Sequence, residues 1–183
     1  MTYSKRDGVT SDMGARLAAN RDGKLTPQQW KDIVTEPLVT VLLWMVPAIM
    51  IFRGRLFLWA AAGGGLVGLV LVAALVGVIL LRARRYARAP IHVGVFRAGD
   101  QFRPFWMFWK AEIYYDEAGA PVRFYQRLAP YKRPQRGERY LIYYLKDRKG
   151  GVLLSIAPAK HPDATRWQPT PAFQTRHMRR GGR

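Results

Sequence analysis

The sequence lacks cysteine altogether and is poor in the other residues that commonly carry active-site chemistry. Its 183 residues include three histidines and twelve acidic residues. Without cysteine there is neither a disulfide framework nor thiol chemistry. The three histidines, His92, His161 and His177, make a structural zinc site improbable. We therefore expect no bound metal and no cofactor.

Motifs of the common catalytic sites are also missing. The sequence contains no Gly-x-Ser-x-Gly, no His-Glu-x-x-His and no P-loop pattern. Most carboxylates after position 82 stand among arginines in predicted turns, where a balance of solvated charges explains them. We therefore predict a protein that is not an enzyme and has no catalytic residues.

Positive charge is abundant and is concentrated in the C-terminal part of the chain. The net charge is +18 and the pI is near 10.9. Residues 82–183 carry twenty-two Lys or Arg against seven Asp or Glu. A surface of this kind favours anionic lipids, acidic proteins or nucleic acid as partners.

A long uncharged run dominates the first half of the chain. Leu56–Leu81 contains twenty-six residues without a charge, which at about 1.5 Å per residue is enough to cross a hydrocarbon core about 30 Å thick. Pro37–Phe52 is a shorter apolar segment, and the Arg53–Arg55 connection after it allows only a tight reversal. The two segments predict a transmembrane hairpin over residues 37–82, with a re-entrant first segment as the alternative.

Two segments precede this predicted hairpin. Residues 1–25 are polar without an apolar period, which predicts a mobile tail that contains at most a short helix. Residues 26–36 predict an amphipathic helix at the bilayer surface. Thr26 and Gln29 have the spacing of a capping box at its start, with Pro27 as the first helical residue.

Four arginines follow the long apolar run and indicate its orientation. Lys and Arg close to a span favour the cytoplasmic side. Both termini are therefore predicted to be cytoplasmic, at the cell inner or plasma membrane. Attraction to anionic lipid headgroups is a second role for the same arginines. They are Arg82, Arg84, Arg85 and Arg88.

Small residues recur at four-residue spacing within the same run. This spacing lets two helices approach closely. We expect the small-residue face to pack on a partner membrane helix or a second copy of the chain, with packing on the first predicted span as the alternative. The positions are Gly64, Gly68, Ala73 and Gly77.

Residues 90–158 change to the pattern of short strands separated by Gly and Pro turns, and residues 159–183 predict a disordered basic tail. About five strands predict a small all-β domain, either an OB- or SH3-like barrel or a curled antiparallel sheet. In the second predicted strand, the alternation places Ile113 and Tyr115 on the apolar face and Glu112 on the other face.

One stretch of the β domain resembles small bacterial membrane-anchored β domains of unknown function, and the order of segments is similar to that of NfeD-like proteins, in which spans precede an OB barrel. The resemblance implies a fold and no activity. It rests on Tyr131, Pro134, Gly137, Tyr140 and Ile142–Tyr144, preceded by Ala111–Tyr115.

These features favour a membrane-anchored accessory or scaffold subunit of a larger membrane assembly, whose basic, aromatic-rich β domain docks to protein partners. A tether for nucleic acid or the ribosome is one alternative, and a ligand-sensing barrel that signals through its anchor is another. The candidate docking or nucleic-acid surface consists of Arg123, Tyr125, Arg127, Lys132 and Arg133.

Overall fold

A computed structural model describes residues 9–35, 65–99, 112–125, 134–147 and 150–175. These residues belong to two compact units. The first unit combines the part up to Trp30 with the part from Arg88 onward, and the second lies between Lys31 and Ala87.

The first unit is built around a closed barrel of five strands in the order β1-β2-β3-β5-β4. The hydrogen-bonded pairs are antiparallel except for β3 and β5, which are parallel. Pairing of β1 with β4 closes the barrel. The strands are β1 (Ile91–Ala98), β2 (Glu112–Tyr115), β3 (Pro121–Tyr125), β4 (Arg139–Asp147) and β5 (Gly150–Pro158).

Aromatic rings fill the barrel interior. Phe124 is fully buried, and its ring meets those of Phe96, Tyr114 and Tyr144 edge to face at centroid distances of 5.1 to 5.5 Å. Gly151 pairs with Phe124 across the parallel strands, and a Cβ on it would lie 2.5 Å from the Phe124 ring. A glycine here gives the ring room to lie against the backbone of β5.

The outer side of β4 and β5 is covered by the two ends of the described chain. Helix α1 (Ser11–Asn20) packs on β5, with Met13 and Leu17 buried. Its Asn20 Nδ2 donates to Ser155 Oγ at 2.8 Å. A 3₁₀ turn (Ala164–Trp167) follows β5.

Hydrogen bonds fasten the later segment to the same side. The Tyr143 hydroxyl of β4 donates to the Trp167 carbonyl at 2.6 Å, and the Thr170 amide donates to the Arg21 carbonyl at 3.0 Å. Phe173, in the helical residues 171–175, packs edge to face on Tyr143.

Two predicted tails therefore contain packed structure. Residues 9–25 lie in the predicted mobile tail and form α1 and the turn after it, and residues 159–175 lie in the predicted disordered tail and form the segment just described. The physical reason is burial of a few large side chains against β4 and β5, Met13, Leu17 and Trp167 among them.

Helix α2 covers residues 27–35, and its predicted capping box is confirmed. The Gln29 amide donates to Thr26 Oγ1 at 3.1 Å, and the Thr26 amide donates to Gln29 Oε1 at 2.9 Å. Gln29 is buried and also donates through Nε2 to the Leu154 carbonyl of β5 at 2.9 Å.

The prediction of a two-span transmembrane hairpin over residues 37–82 is wrong. The described part of this region includes helix α3 (Gly65–Arg88). Among the described residues, none of the helices combines the length and the apolar character needed to cross a membrane. Within the described residues, the uncharged part of α3 covers position 65 to Leu81, about 25 Å at about 1.5 Å per residue, which is less than a hydrocarbon core of about 30 Å. Residues 36–64, including the predicted first span and the Arg53–Arg55 turn, lie outside the described residues.

Candidate binding face of the barrel

The outer surface of β1, β2 and β3 is exposed, in contrast to that of β4 and β5. Cross-strand partners lie on the same side of a sheet, so the pairs Arg97–Tyr115 and Ile113–Arg123 project outward together. Tyr115 is 40% exposed and Ile113 is 36% exposed. We call this surface the open face and define it by five residues: Arg97, Ile113, Tyr115, Arg123 and Arg139.

Two arginines of the open face stand directly opposite each other on β1 and β4. The register pairs Arg97 with Arg139, and directly opposite residues have Cα atoms about 4.5–5.5 Å apart. Both side chains are exposed, and among the described residues neither makes an ion pair. Like charges in this position are destabilising by about 0.2–1 kcal/mol, so the pair favours an anion that lies between the two guanidinium groups.

An open cleft of about 540 Å³ begins at this arginine pair. Its walls come from the end of β1, the β2–β3 turn and the residues before β4. Gly119 and Gly137 have φ values of +80° and +81°, which ordinary side chains disfavour, and they allow the tight turns on either side. The charged and aromatic residues of the lining are Phe96, Arg97, Tyr115, Asp116, Glu117, Arg136 and Arg139.

Hydrogen bonds hold two of the cleft's walls in place. Asp116 Oδ1 accepts from the Ala120 amide at 2.7 Å and braces the β2–β3 turn. On the other side, the Tyr140 hydroxyl accepts from the Gln135 amide at 2.8 Å and donates to Glu138 Oε2 at 2.9 Å. Burial is the main cause that raises the pKa of Tyr140, so this hydroxyl keeps its proton at neutral pH.

The orientation of β2 is the reverse of the sequence prediction. Glu112 and Tyr114 point inward and are buried, whereas Ile113 and Tyr115 are exposed. The Tyr114 hydroxyl donates to Glu112 Oε2 at 3.0 Å. A buried carboxylate is tolerated when it is hydrogen-bonded, and the shift by one residue turns the apolar pair onto the surface.

Only part of the predicted docking surface falls in the described chain. Arg123 is exposed on β3 and faces outward beside Ile113. Tyr125 is the last residue of β3. The remaining three positions, Arg127, Lys132 and Arg133, lie outside the described residues.

The sequence reasoning missed Arg97, Tyr115 and Arg139 as members of a common surface. Arg97 and Arg139 belong to strands that are far apart in the chain and meet only through barrel closure. A partial signal was present, since Arg97 lies near the end of β1 and Arg139 is the first residue of β4.

The predicted arginine cluster at the end of α3 divides into two pairs. Arg82 donates through Nε to the Ile33 carbonyl at 3.0 Å, and the guanidinium groups of Arg82 and Arg85 lie 5.3 and 5.8 Å from the centroid of the buried Tyr86 ring. Arg84 and Arg88 are exposed and one helical turn apart.

The predicted helix-packing residues show no close partner where they are described. Ala73 is exposed, and a Cβ added to Gly77 would have no neighbour within 4 Å. Gly68 lies within α3, and Gly64 lies outside the described residues. Packing of this face on another helix or a second copy stays a prediction.

Within the described ranges, no group of three His, Asp or Glu residues could hold a metal ion. His161 is buried, and its Nδ1 accepts from the Asp163 amide at 3.1 Å. Its ring lies 4.6 Å from that of Trp167, which is a structural contact of the covered side of the barrel. The prediction that the chain has no catalytic residues is not tested by this geometry.

No protein-family model, curated protein sequence or solved structure matches the chain significantly. The resemblance to NfeD-like proteins and to small membrane-anchored β domains therefore stays a prediction.

Proposed function

We propose that the chain is a non-catalytic docking protein that attaches to membranes through α3 and presents its barrel to a protein partner with an acidic surface. Attachment and docking are assigned to different units of the chain. This proposal requires only that the apolar part of α3 enters the acyl region of a bilayer.

The observation that carries the proposal is the all-round exposure of large apolar side chains on α3. At about 100° per residue, the exposed positions project around the whole helix and do not form one stripe. A helix that is apolar on all sides is typical of an apolar environment. The exposed fractions run from 48% to 67% for Val70, Val72, Val76, Val78, Leu80 and Leu81.

The charges at the end of α3 complement a bilayer surface. Arg84 and Arg88 are exposed and lie within two helical turns after Leu81. Each arginine near an anionic surface contributes about 1 kcal/mol of attraction. A helix that is apolar first and basic last places its charges at the headgroups when its apolar part is among the acyl chains.

Vesicle flotation of the purified full chain tests the attachment. We expect the protein to float with phosphatidylcholine vesicles and to resist extraction by salt. On adding phosphatidylglycerol, the affinity should rise, and Arg84→Gln/Arg88→Gln should remove about 2 kcal/mol of that gain. Lys24→Gln/Lys160→Gln removes the same charge from exposed positions and should leave flotation unchanged.

The apolar contribution is tested separately. Val72→Asn/Val76→Asn replaces two exposed side chains and should leave the barrel intact while it weakens flotation with both vesicle types. The attachment would be contradicted if the unmodified protein stayed in the aqueous fraction without detergent. It would also be contradicted if the asparagine variant floated as well as the unmodified protein. Isolation in mild detergent with native mass measurement tests the docking role, since it requires a co-purifying protein.

A nucleic-acid tether is the second candidate, and one observation favours it. The open face combines exposed arginines with an exposed tyrosine, and bases stack on aromatic rings while arginines contact phosphates. The β1-β2-β3-β5-β4 order is also compatible with an OB-type barrel, whose strands 2 and 3 bind oligonucleotides. RNA that co-purifies and is released steeply by salt would favour this candidate over protein docking.

An internal ligand-binding site receives less support. Phe96, Phe124 and Tyr144 meet ring to ring inside the barrel, so the described interior is occupied by side chains. The cleft beside Arg97 lies at the surface instead.

A further inference from the structure

We propose that the cleft of the open face binds an acidic peptide segment of the partner protein, with a peptide carboxylate between Arg97 and Arg139. The inference rests on the proposed docking function and names the chemistry that the docking site recognises. It places the contact in a cleft that the sequence analysis did not predict.

The arginine pair is the charged half of the recognition. Arg97 and Arg139 are directly opposite across β1 and β4 and are both exposed. A planar guanidinium group matches a carboxylate through two parallel hydrogen bonds. A carboxylate between the two side chains would replace mutual repulsion by two charge-assisted contacts, so binding and relief of repulsion act in the same direction.

The apolar half of the recognition lies beside this pair. Tyr115 is the direct cross-strand neighbour of Arg97 and lines the cleft. Ile113 is two residues earlier on the same outward side of β2. Tyrosine next to arginine is the combination enriched at the energetic centres of protein interfaces, and a cavity of about 540 Å³ is of the size that binds small ligands or a few side chains.

The carboxylates of the cleft favour a peptide over a nucleic acid. Asp116 and Glu117 line the side formed by the β2–β3 turn and directly follow Tyr115, the cross-strand partner of Arg97. A nucleic-acid strand carries a charge on every nucleotide and would bring phosphates to these carboxylates as well as to the arginines. A peptide can place an acidic side chain on the arginines and a neutral or basic residue near Asp116 and Glu117.

Barrel closure narrows the mode of binding further. Among the described residues, Arg97 pairs with β2 on one side and with β4 on the other, so this end of β1 offers no free edge to which a partner could add a strand. Recognition on β1 therefore depends on its side chains, which makes substitution of single side chains an informative test.

The test measures fluorescence anisotropy of two labelled probes against the full-length protein in mild detergent. One probe is a peptide with two adjacent glutamates flanked by leucine and lysine, and the other is an oligothymidylate of similar length. We expect the peptide to bind, and Arg97→Gln/Arg139→Gln to weaken its binding at least tenfold. Lys24→Gln, which removes an exposed charge in the turn after α1, should leave the affinity unchanged.

The thermal stability of the arginine variant separates a binding role of the pair from a structural one. Because Arg97→Gln/Arg139→Gln removes a like-charge pair, we expect the midpoint of thermal unfolding to stay the same or rise while peptide affinity falls. Loss of affinity together with a lower midpoint would assign the pair a structural role and overturn the proposal.

The remaining outcomes also decide between the alternatives. An oligonucleotide that binds more tightly than the peptide, and depends on Arg97 and Arg139, would overturn the proposal in favour of nucleic acid. Absence of binding by both probes would overturn it outright. Peptide binding by a protein that fails to float with vesicles would refute the membrane attachment and leave the cleft proposal standing, so the two failures are distinguishable.

Discussion

Replacing Gly151 by alanine should destabilise the barrel from its centre. A Cβ at this position would lie 2.5 Å from Cδ1 and 2.6 Å from Cε1 of Phe124, and 3.2 Å from Cδ2 of Tyr144. Ordinary carbon contacts are about 3.5–4.0 Å, so the Phe124 ring would have to move by about 1 Å. It is fully buried against Phe96 and Tyr144, and its displacement would disturb both neighbours.

The magnitude follows from two opposing effects. Overpacking of a core costs about 1–3 kcal/mol, and loss of glycine's freedom in the unfolded chain returns about 0.4–1 kcal/mol. A net loss of about 1–2 kcal/mol corresponds to a fall in Tm of roughly 5–10 °C for a domain of this size. Thermal unfolding followed by near-ultraviolet circular dichroism reports directly on the aromatic packing.

A second substitution tests the cause. Gly151→Ala/Phe124→Leu gives the new methyl group space, so the double variant should lose less stability than the sum of the two single variants. Gly77→Ala, at a helical glycine with no neighbour within 4 Å, is the matched control and should leave the barrel signal unchanged. An unchanged Tm for Gly151→Ala, or strict additivity in the double variant, would refute the reasoning.

Two further predictions concern the covered side of the barrel. Burial raises the pKa of Tyr143, so the folded state holds this proton more tightly than the unfolded chain. The resulting stabilisation is complete below about pH 10 and is lost progressively as the pH rises above it. In urea unfolding, the free energy of unfolding of Tyr143→Phe should therefore fall less steeply at alkaline pH. At pH 8 it should be about 1 kcal/mol lower, because the hydrogen bond to Trp167 is missing. Gln29→Ala removes the acceptor of the Thr26 amide in the capping box and the hydrogen bond to the Leu154 carbonyl, so it should cost about 2–4 kcal/mol. Thr26→Ala, which removes only the cap, should cost about 1 kcal/mol in the same urea titration, and equal losses in the two variants would show that the contact with β5 contributes nothing.

The β-strands were predictable because their signals are local. Ile91–Phe96 and Arg139–Leu145 were predicted from alternation and turn residues, and the observed β1 and β4 contain both stretches. The parallel pairing of β3 with β5 was not predictable, because it joins strands that are not consecutive and leaves no local pattern. The same limit hid the meeting of Arg97 with Arg139.

Polar burial accounts for two other differences. The alternation of apolar residues assigned Glu112 to the outer face, yet it is buried and accepts a hydrogen bond from Tyr114. In α1 the large apolar residues Met13 and Leu17 are buried with Arg16 and Asn20, so the buried face does not read as an apolar period. Such faces become recognisable only once their hydrogen-bond partners are known.

The long apolar run was interpreted as a membrane span from its length and its lack of charge, and among the described residues none of the helices meets that requirement. α3 begins at Gly65 and continues through the arginines to Arg88, so its apolar and basic parts belong to one continuous helix. Their exposure could not be derived from the sequence, since apolar residues are also expected in a core.

The contact between α1 and β5 has a consequence for the order of events during synthesis. Asn20 and Ser155 are 135 positions apart, so at about 5–20 residues per second the ribosome completes α1 roughly 7–27 seconds before its partner strand exists. In that interval α3 has already been translated. Met13 and Leu17 therefore lack their partner strand while α3, the segment proposed to enter the bilayer, is being synthesised. Packing of the N-terminal helix on the barrel can therefore form only after β5 has been synthesised.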